Sequence, residues 1–348
     1  MTMIHIEQFL LKPYRFPLAR PFVVGGQALS IREGLIVEIV GRDGNRGLGE
    51  AAPLPGVSTE ELKKAAHQLK CLEREWVGRT LPVSCEALCA RLQKDLDRSV
   101  LAPSVIFALE SALVSLAAGM QGVSVAEFLG DGPPKVVRSA CLIQGDLEVV
   151  RAYGAKYSAD GFSIFKLKVG NRNIPLDVLK VRALKEMIGF DDRIRLDANA
   201  AWSLEEAVAF ACAIGKEQID FIEEPCSGQN DHEKFFRRTD MPWAVEAHSS
   251  VRPLSDWEGI QGLKAVVIKP MLSGGINGFL SVKDIAYRLG AQVVVSSLFE
   301  TSVGFRMLAN CAALTDTCCG LGTADWFGSP AAGIMQKGGL IPPVNLIA

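Results

Sequence analysis

The 348-residue chain has almost no net charge: Lys+Arg 37 against Asp+Glu 39 leaves −2. That near-balance excludes a general electrostatic drive toward nucleic acid or an anionic membrane surface. Long uncharged apolar runs are missing as well. The most apolar stretch, Phe107 to Met120, is interrupted by Glu110 and falls short of the ~18 residues a membrane span needs. Nor does the N-terminus, Met1 to Glu7, show the basic start and unbroken apolar core of a secretory signal. These absences predict a soluble, cytoplasmic protein with no nucleic-acid or membrane partner; nothing sets an oligomeric state. The 9 cysteines are scattered and odd in number, and no CxxC pair occurs. A disulfide framework or zinc site is therefore unsupported, and most read as small buried hydrophobes.

The chain is long enough for one large domain and a smaller one. In the first third, Leu35–Val40 alternates as a strand, Arg42–Arg46 supplies turn chemistry, and Gly47–Ala52 follows as a partner strand. Ser58-Thr-Glu-Glu61 fits a capping box ahead of a helix. This α+β pattern gives way to a helix from Pro103 to about Ala118 that is apolar nearly all round, as a buried helix should be. From about Val136 short β-rich runs alternate with amphipathic stretches: Val136–Leu142, Ser163–Val169, Arg193–Asp197, Phe221–Glu223, Trp243–Glu246, Ala265–Lys269, Val293–Ser296 and Cys318–Gly322. Helical patterns at Pro175–Met187, Ser203–Ile214, Ile276–Leu289 and Ser302–Ala313 lie between them. Eight such units predict an α/β fold, a closed (β/α)8-like barrel.

The polar residues that end these runs recur at one β/α unit. Lys168, Asp197, Glu223, Glu246, Lys269 and Ser296 are separated by 29, 26, 23, 23 and 27 positions. A barrel gathers such strand ends around one mouth. Three carboxylates side by side repel unless something cationic lies between them. An all-oxygen set suits a hard divalent cation, with Mg²⁺ the default and Mn²⁺ the substitute. A lysine on each flank completes an arrangement suited to removing a proton beside a carboxylate, so the partner is a small anionic carboxylate substrate. Side-chain alternation puts Lys166 on the face of Lys168, and Arg195 and Asn199 on the face of Asp197. His248, just past Glu246, reads as a neighbour of the site rather than a ligand.

The motifs Gly49-Glu-Ala-Ala-Pro-Leu-Pro-Gly56, Pro103–Glu110, Lys166-Leu-Lys168, Leu196–Trp202, Ile222-Glu-Glu-Pro225, Val267-Ile-Lys-Pro270 and Ser296–Gly304 together resemble the enolase superfamily, in its muconate-lactonizing-enzyme-like subgroup. The resemblance implies a modified barrel over 105–324 and an α+β capping domain over 1–104, completed by 325–348. It implies Asp197, Glu223 and Glu246 as Mg²⁺ ligands, Lys168 as the base and Lys269 as the opposite catalytic lysine. Lys166, Arg195, Asn199, Ser296 and Ser297 would contact or position substrate, and the loops Phe22–Gly26 and Pro53–Val57 would set specificity. The implied reaction is syn-dehydration of 2-succinyl-6-hydroxy-2,4-cyclohexadiene-1-carboxylate. N-acylamino acid racemases, dipeptide epimerases and muconate-type cycloisomerases share its first step, and a non-catalytic carboxylate-binding homologue is the alternative of another class. One departure stands out: the usual Asp-Glu-Ser at the third ligand reads Glu246-Ala-His248 here.

Overall fold

The computed structural model describes residues 3–24, 27–130, 132–133, 135–171, 173–248, 253–327 and 335–343. β1 (Met3–Val24) pairs antiparallel with β2 (Gln27–Gly41), and β2 pairs with β3 (Arg46–Ala51) through the expected turn, where Gly44 has φ 81°. Alternation along β2 buries Leu35, Val37 and Ile39. β1 is not evident from the sequence, because Pro13 and Pro17 break its pattern and a register shift follows Pro17. α1 (Leu62–Trp76) starts where a helix is expected, but the capping box does not form. Glu61 caps without a side-chain bond, and the Ser58 hydroxyl instead accepts the amide of Leu54 at 2.9 Å, closing the turn ahead of the helix. β4 (Thr80–Pro82) and α2 (Cys85–Asp95) complete the cap, whose sheet order is β3-β2-β1-β4.

α3 (Pro103–Gln121) and the short α4 (Val125–Leu129) lead into the barrel. Its units are β5 (Val137–Ile143), α5 (Leu147–Ala159), β6 (Ile164–Lys168), α6 (Ile174–Met187), β7 (Arg193–Asp197), α7 (Leu204–Ile214), β8 (Ile219–Glu223), α8 (His232–Thr239), β9 (Trp243–Glu246), β10 (Leu263–Ile268), α9 (Gly275–Arg288), β11 (Gln292–Val295), α10 (Ser302–Ala313) and β12 (Cys319–Gly322). The strands run parallel in the order β11-β10-β9-β8-β7-β6-β5-β12, and a parallel bridge from Ser296 to Gly320 closes the ring. All eight strands expected from the sequence are present. α5 and α8 are additional to the expected helices.

α3 packs against β2 and β3 on one side and α9 on the other. Among the described residues it is long and apolar enough to cross a membrane, yet 83% of its apolar window is buried inside the protein. Its contact with β3 is backbone-close. A Cβ on Gly47 would stand 1.9 Å from the Ala112 carbonyl oxygen, and one on Gly49 would stand 1.8 Å from that of Ala108. Two strand residues span about 6.6 Å and four helical residues about 6.0 Å, so the two glycines match one helical ridge of alanines.

Beyond β12, Phe327 bridges Leu18 of the cap, whereas β13 (Leu340–Ile341) pairs antiparallel with β5 of the barrel. The rest of the segment expected to complete the cap, 328–334 and 344–348, lies outside the described residues. All nine cysteines are free. Cys141, Cys226, Cys311 and Cys319 are buried, but Cys71 and Cys212 are exposed on helices, so packing accounts for fewer of them than expected.

Candidate active site

The predicted strand-end residues converge on the carboxyl-terminal mouth of the barrel. Lys168, Asp197 and Glu223 are register partners across β6, β7 and β8 and share one level. Glu246 ends β9, and Lys269 follows β10, four strands around the ring from β6 and hence across the mouth. Lys168 Nζ donates to Asp197 Oδ2 at 2.6 Å and Asn199 Oδ1 at 2.9 Å. Lys166 rises from one layer below to lie 2.7 Å from both Asp197 Oδ2 and Glu223 Oε2. Lys269 donates to Glu246 Oε1, and His248 Nε2 lies 3.3 Å from the other oxygen of the same carboxylate. Glu246 is held from behind: its amide donates to Glu224 Oε1 at 2.9 Å.

Charges this deeply buried perturb one another. Burial pushes the Asp197 carboxyl up, but Lys166, Lys168 and Lys269 outweigh it and hold the group well below the usual carboxylate range. Glu246 is likewise brought down to about 2, where Lys269 and then His248 overcome burial. Glu223 goes the other way, raised to about 8 by burial and by Asp197, with Lys166 only partly offsetting them. Lys166 and Lys269 are raised: burial disfavours their charge, and the surrounding carboxylates more than restore it.

Asp197, Glu223 and Glu246 each offer an oxygen within 4.8 Å of the other two. Mg²⁺ binds oxygens at about 2.1 Å, so the three carboxylates would draw closer together around a bound ion. Glu223 Oε1 is buried and accepts no N–H or O–H from the described residues, which leaves its lone pairs free for a cation. The donor set and this orphaned oxygen suit a hard divalent ion.

A cavity of about 620 Å³ opens above the cluster. Val23, Val24, Leu54, Gly56 and Val57 of the cap roof it, while Lys166, Lys168, Asn199, Glu246, Lys269, Ser296 and Ser297 of the barrel line it. Gly25 and Gly26 of the expected specificity loop lie outside the described residues. Arg195 does not join the site. In register with Lys166 and Phe221, it turns toward the amino-terminal end of the barrel, donating to Asp220 at 2.8 Å and to the Cys318 carbonyl at 2.7 Å. Ser296 contacts the Gly320 carbonyl at 3.4 Å, and Ser297 donates to Glu300 at 2.9 Å.

Two groups are absent from the sequence reading. Lys180 of α6 lines the cavity although it sits on a helix. Arg32 of β2 is 1% exposed and joins the cap to the barrel loop at Leu298–Phe299. For Lys180 a signal existed: Asp177, Lys180, Val181 and Leu184 fall on one buried helical face, where a charged residue is out of place.

A closed parallel barrel under an α+β cap, with carboxylates and lysines at its carboxyl-terminal mouth, defines an enolase-type architecture. The description "enolase C-terminal domain-like" matches residues 148–330, and "MenC, N-terminal domain" matches 6–116. The chain is 35% identical over 311 residues to the o-succinylbenzoate synthase of Haemophilus influenzae, covering 88% of this chain and 86% of that one. It is 31% identical over 323 residues to the enzyme of that name from Aliivibrio fischeri, covering 90% and 89%. Among solved structures, the L-Ala-D/L-Glu epimerase from Bacillus subtilis superposes with a TM-score of 0.84 at 23% identity, covering 97% and 96%, a likeness of fold alone. The chain belongs to the o-succinylbenzoate synthase family of the enolase superfamily.

Proposed function

We propose that this chain is a divalent-cation-dependent hydro-lyase that converts 2-succinyl-6-hydroxy-2,4-cyclohexadiene-1-carboxylate to 2-succinylbenzoate and water. The observation that carries the reading is the placement of Lys168 and Lys269 across one mouth, with three buried carboxylates between them. Asp197, Glu223 and Glu246 would hold Mg²⁺ or Mn²⁺, and a bound cation would supply the positive charge that an enediolate needs. Lys168 Nζ would take the proton α to the carboxylate, which requires its neutral form. The resulting ammonium would return that proton to the departing hydroxyl on the same face, so water leaves as the ring double bond forms. Aromatisation drives this second step. Lys269, across the ring, would stabilise the developing negative charge and face the forming π system. Lys166 would hold Asp197 and Glu223 in place, and Asn199 would aim Lys168, as its 2.9 Å contact suggests.

Racemisation of N-succinyl amino acids and dipeptide epimerisation would use the same two lysines, so the assay must compare substrates. Expected are dehydration of the cyclohexadiene carboxylate in Mg²⁺, its loss in EDTA, and its loss in Lys168→Ala with Mg²⁺ affinity retained. Rapid racemisation of N-succinyl amino acids with negligible dehydration would overturn the reading.

A further inference from the structure

Four of the described residues lining the cavity are cationic: Lys166, Lys168, Lys180 and Lys269. Three of them are engaged with Asp197, Glu223 or Glu246. Lys180 is not. It is 5% exposed, and among the described residues its hydrogen bond is to Asp177 Oδ1 at 3.4 Å. Asp177 hardly needs it: Oδ2 accepts the amides of Gly170 at 2.9 Å and Asn171 at 2.8 Å, and Oδ1 accepts Asn171 Nδ2 at 2.6 Å. A lysine ammonium carries three donors, and burying it with one long bond is costly unless an acceptor arrives. Val169 and Asn171, which line the same cavity, stand one and three positions after Lys168 in the chain. Gln144 and Gly145, just beyond β5, also line it, and Gln144 donates to the Val23 carbonyl of the cap at 3.2 Å.

With Lys168 neutral as the base, three carboxylates against Lys166 and Lys269 leave one negative charge. A divalent cation makes this one positive, and the reacting carboxylate brings it to zero. A second carboxylate on the same substrate therefore finds no counter-charge in the cluster, and Lys180 is the cation on the cavity wall that is left to supply one. We propose that Lys180 is a specificity-determining residue that anchors this distal carboxylate, the far end of the succinyl arm. The assignment rests on the reading of substrate given above.

The test is calorimetric titration of the Mg²⁺-loaded full chain with 2-succinylbenzoate and with its analogue bearing a carboxamide at the end of the arm. Wild type should prefer the dicarboxylate. Lys180→Met should weaken 2-succinylbenzoate about 10- to 100-fold, the scale of a charge-assisted hydrogen bond, and change the carboxamide by less than about twofold. Lys180→Arg should restore most of the difference. If Lys180→Met is poorly soluble, Lys180→Gln provides the same comparison. An equal loss for both ligands assigns Lys180 to structure and overturns the proposal, as does unchanged affinity or a wild type that binds both ligands alike. A wild type that discriminates through Lys180 yet fails to dehydrate the cyclohexadiene carboxylate would refute the proposed reaction instead.

Discussion

Arg32 offers a quantitative test of how the cap is fixed to the barrel. Its guanidinium donates to the carbonyls of Pro53 at 2.8 Å, Phe299 at 3.0 Å, Leu298 at 3.2 Å and Glu33 at 3.3 Å, and also to that of Ala52. The Ala52–Pro53 carbonyls belong to the cap and Leu298–Phe299 to the barrel, and Leu54, Leu298 and Phe299 line the cavity. Arg32→Met would keep the apolar stem and remove every donor. Each charged bond is worth about 1.5–3 kcal/mol, but these do not add, because the variant also escapes the cost of burying a cation. Leaving those buried carbonyls without a donor costs about 1–3 kcal/mol each, and with the escaped burial cost set against it the net loss is about 3–5 kcal/mol. Both loops border a cavity that water can enter, so the lower end applies. At about 2 °C per kcal/mol for a chain this large, the melting temperature should fall by roughly 6 °C. Since Arg32 touches none of the mouth carboxylates, KM should rise more than kcat falls. Lys in place of Arg keeps the charge but not the fork, and should lie between the two. A melting temperature within about 1 °C of wild type in Arg32→Met, or a Lys variant indistinguishable from wild type, would refute the clamp.

Further outcomes follow from other features. Glu246→Ala should lower Mg²⁺ affinity at least about tenfold in a calorimetric titration, since it removes one of three carboxylates; unchanged affinity would remove Glu246 from the ligand set. Gly49→Ala should cost about 3 kcal/mol or more by driving a methyl into the Ala108 carbonyl, read as a lowered denaturation midpoint, and wild-type stability would show that β3 and α3 can separate freely. Glu300, buried and near Glu50, has its carboxyl pushed up to about 7, first by burial. Its folded value lies above the unfolded one near 4.5, so the stability it permits is full below pH 4.5 and is lost as pH rises through 7. Glu300→Gln keeps an acceptor for Ser297 and Leu298 without the charge. Between pH 5 and pH 8, the stability gap should shift in the variant's favour by about 2.5 kcal/mol in urea unfolding; a pH-independent gap would contradict the burial argument.

The barrel was legible because its signal repeats. Polar residues at intervals of 23 to 29 positions mark strand ends whatever the strands contain, and five of those residues meet in one cluster. What sequence does not carry is the direction a long side chain takes along the barrel axis. Lys166 and Arg195 are register partners, and both lie two residues before the mouth. Lys166 reaches up because Asp197 and Glu223 draw it, while Arg195 turns down to Asp220 and the Cys318 carbonyl. Alternation places both on the inner face and cannot separate them. The Ser58 capping box failed for a related reason: the Leu54 amide competed for the hydroxyl, and that contact depends on how the Pro53–Ser58 turn folds.

The seam between cap and barrel explains why specificity must reside in loops. Glu50, fully buried on β3, accepts the amides of Thr301 at 3.0 Å and Gly304 at 2.8 Å and the Thr301 hydroxyl at 2.7 Å, all at the start of α10, while Tyr14 of β1 donates to it at 2.5 Å. Moving the cap as a body would strand a buried carboxylate and, through Arg32, a buried cation, each at a cost of several kcal/mol. The Gly47 and Gly49 contacts with α3 leave no slack for sliding either. Adjustment to a substrate is therefore confined to segments free of this lock, such as Pro55–Val57, whose Gly56 and Val57 face the cavity and whose Gly56 has φ 76°. Relatives that share this barrel and its lysines can then differ in substrate through a few cap residues and a few wall residues such as Lys180, with the proton-transfer geometry unchanged.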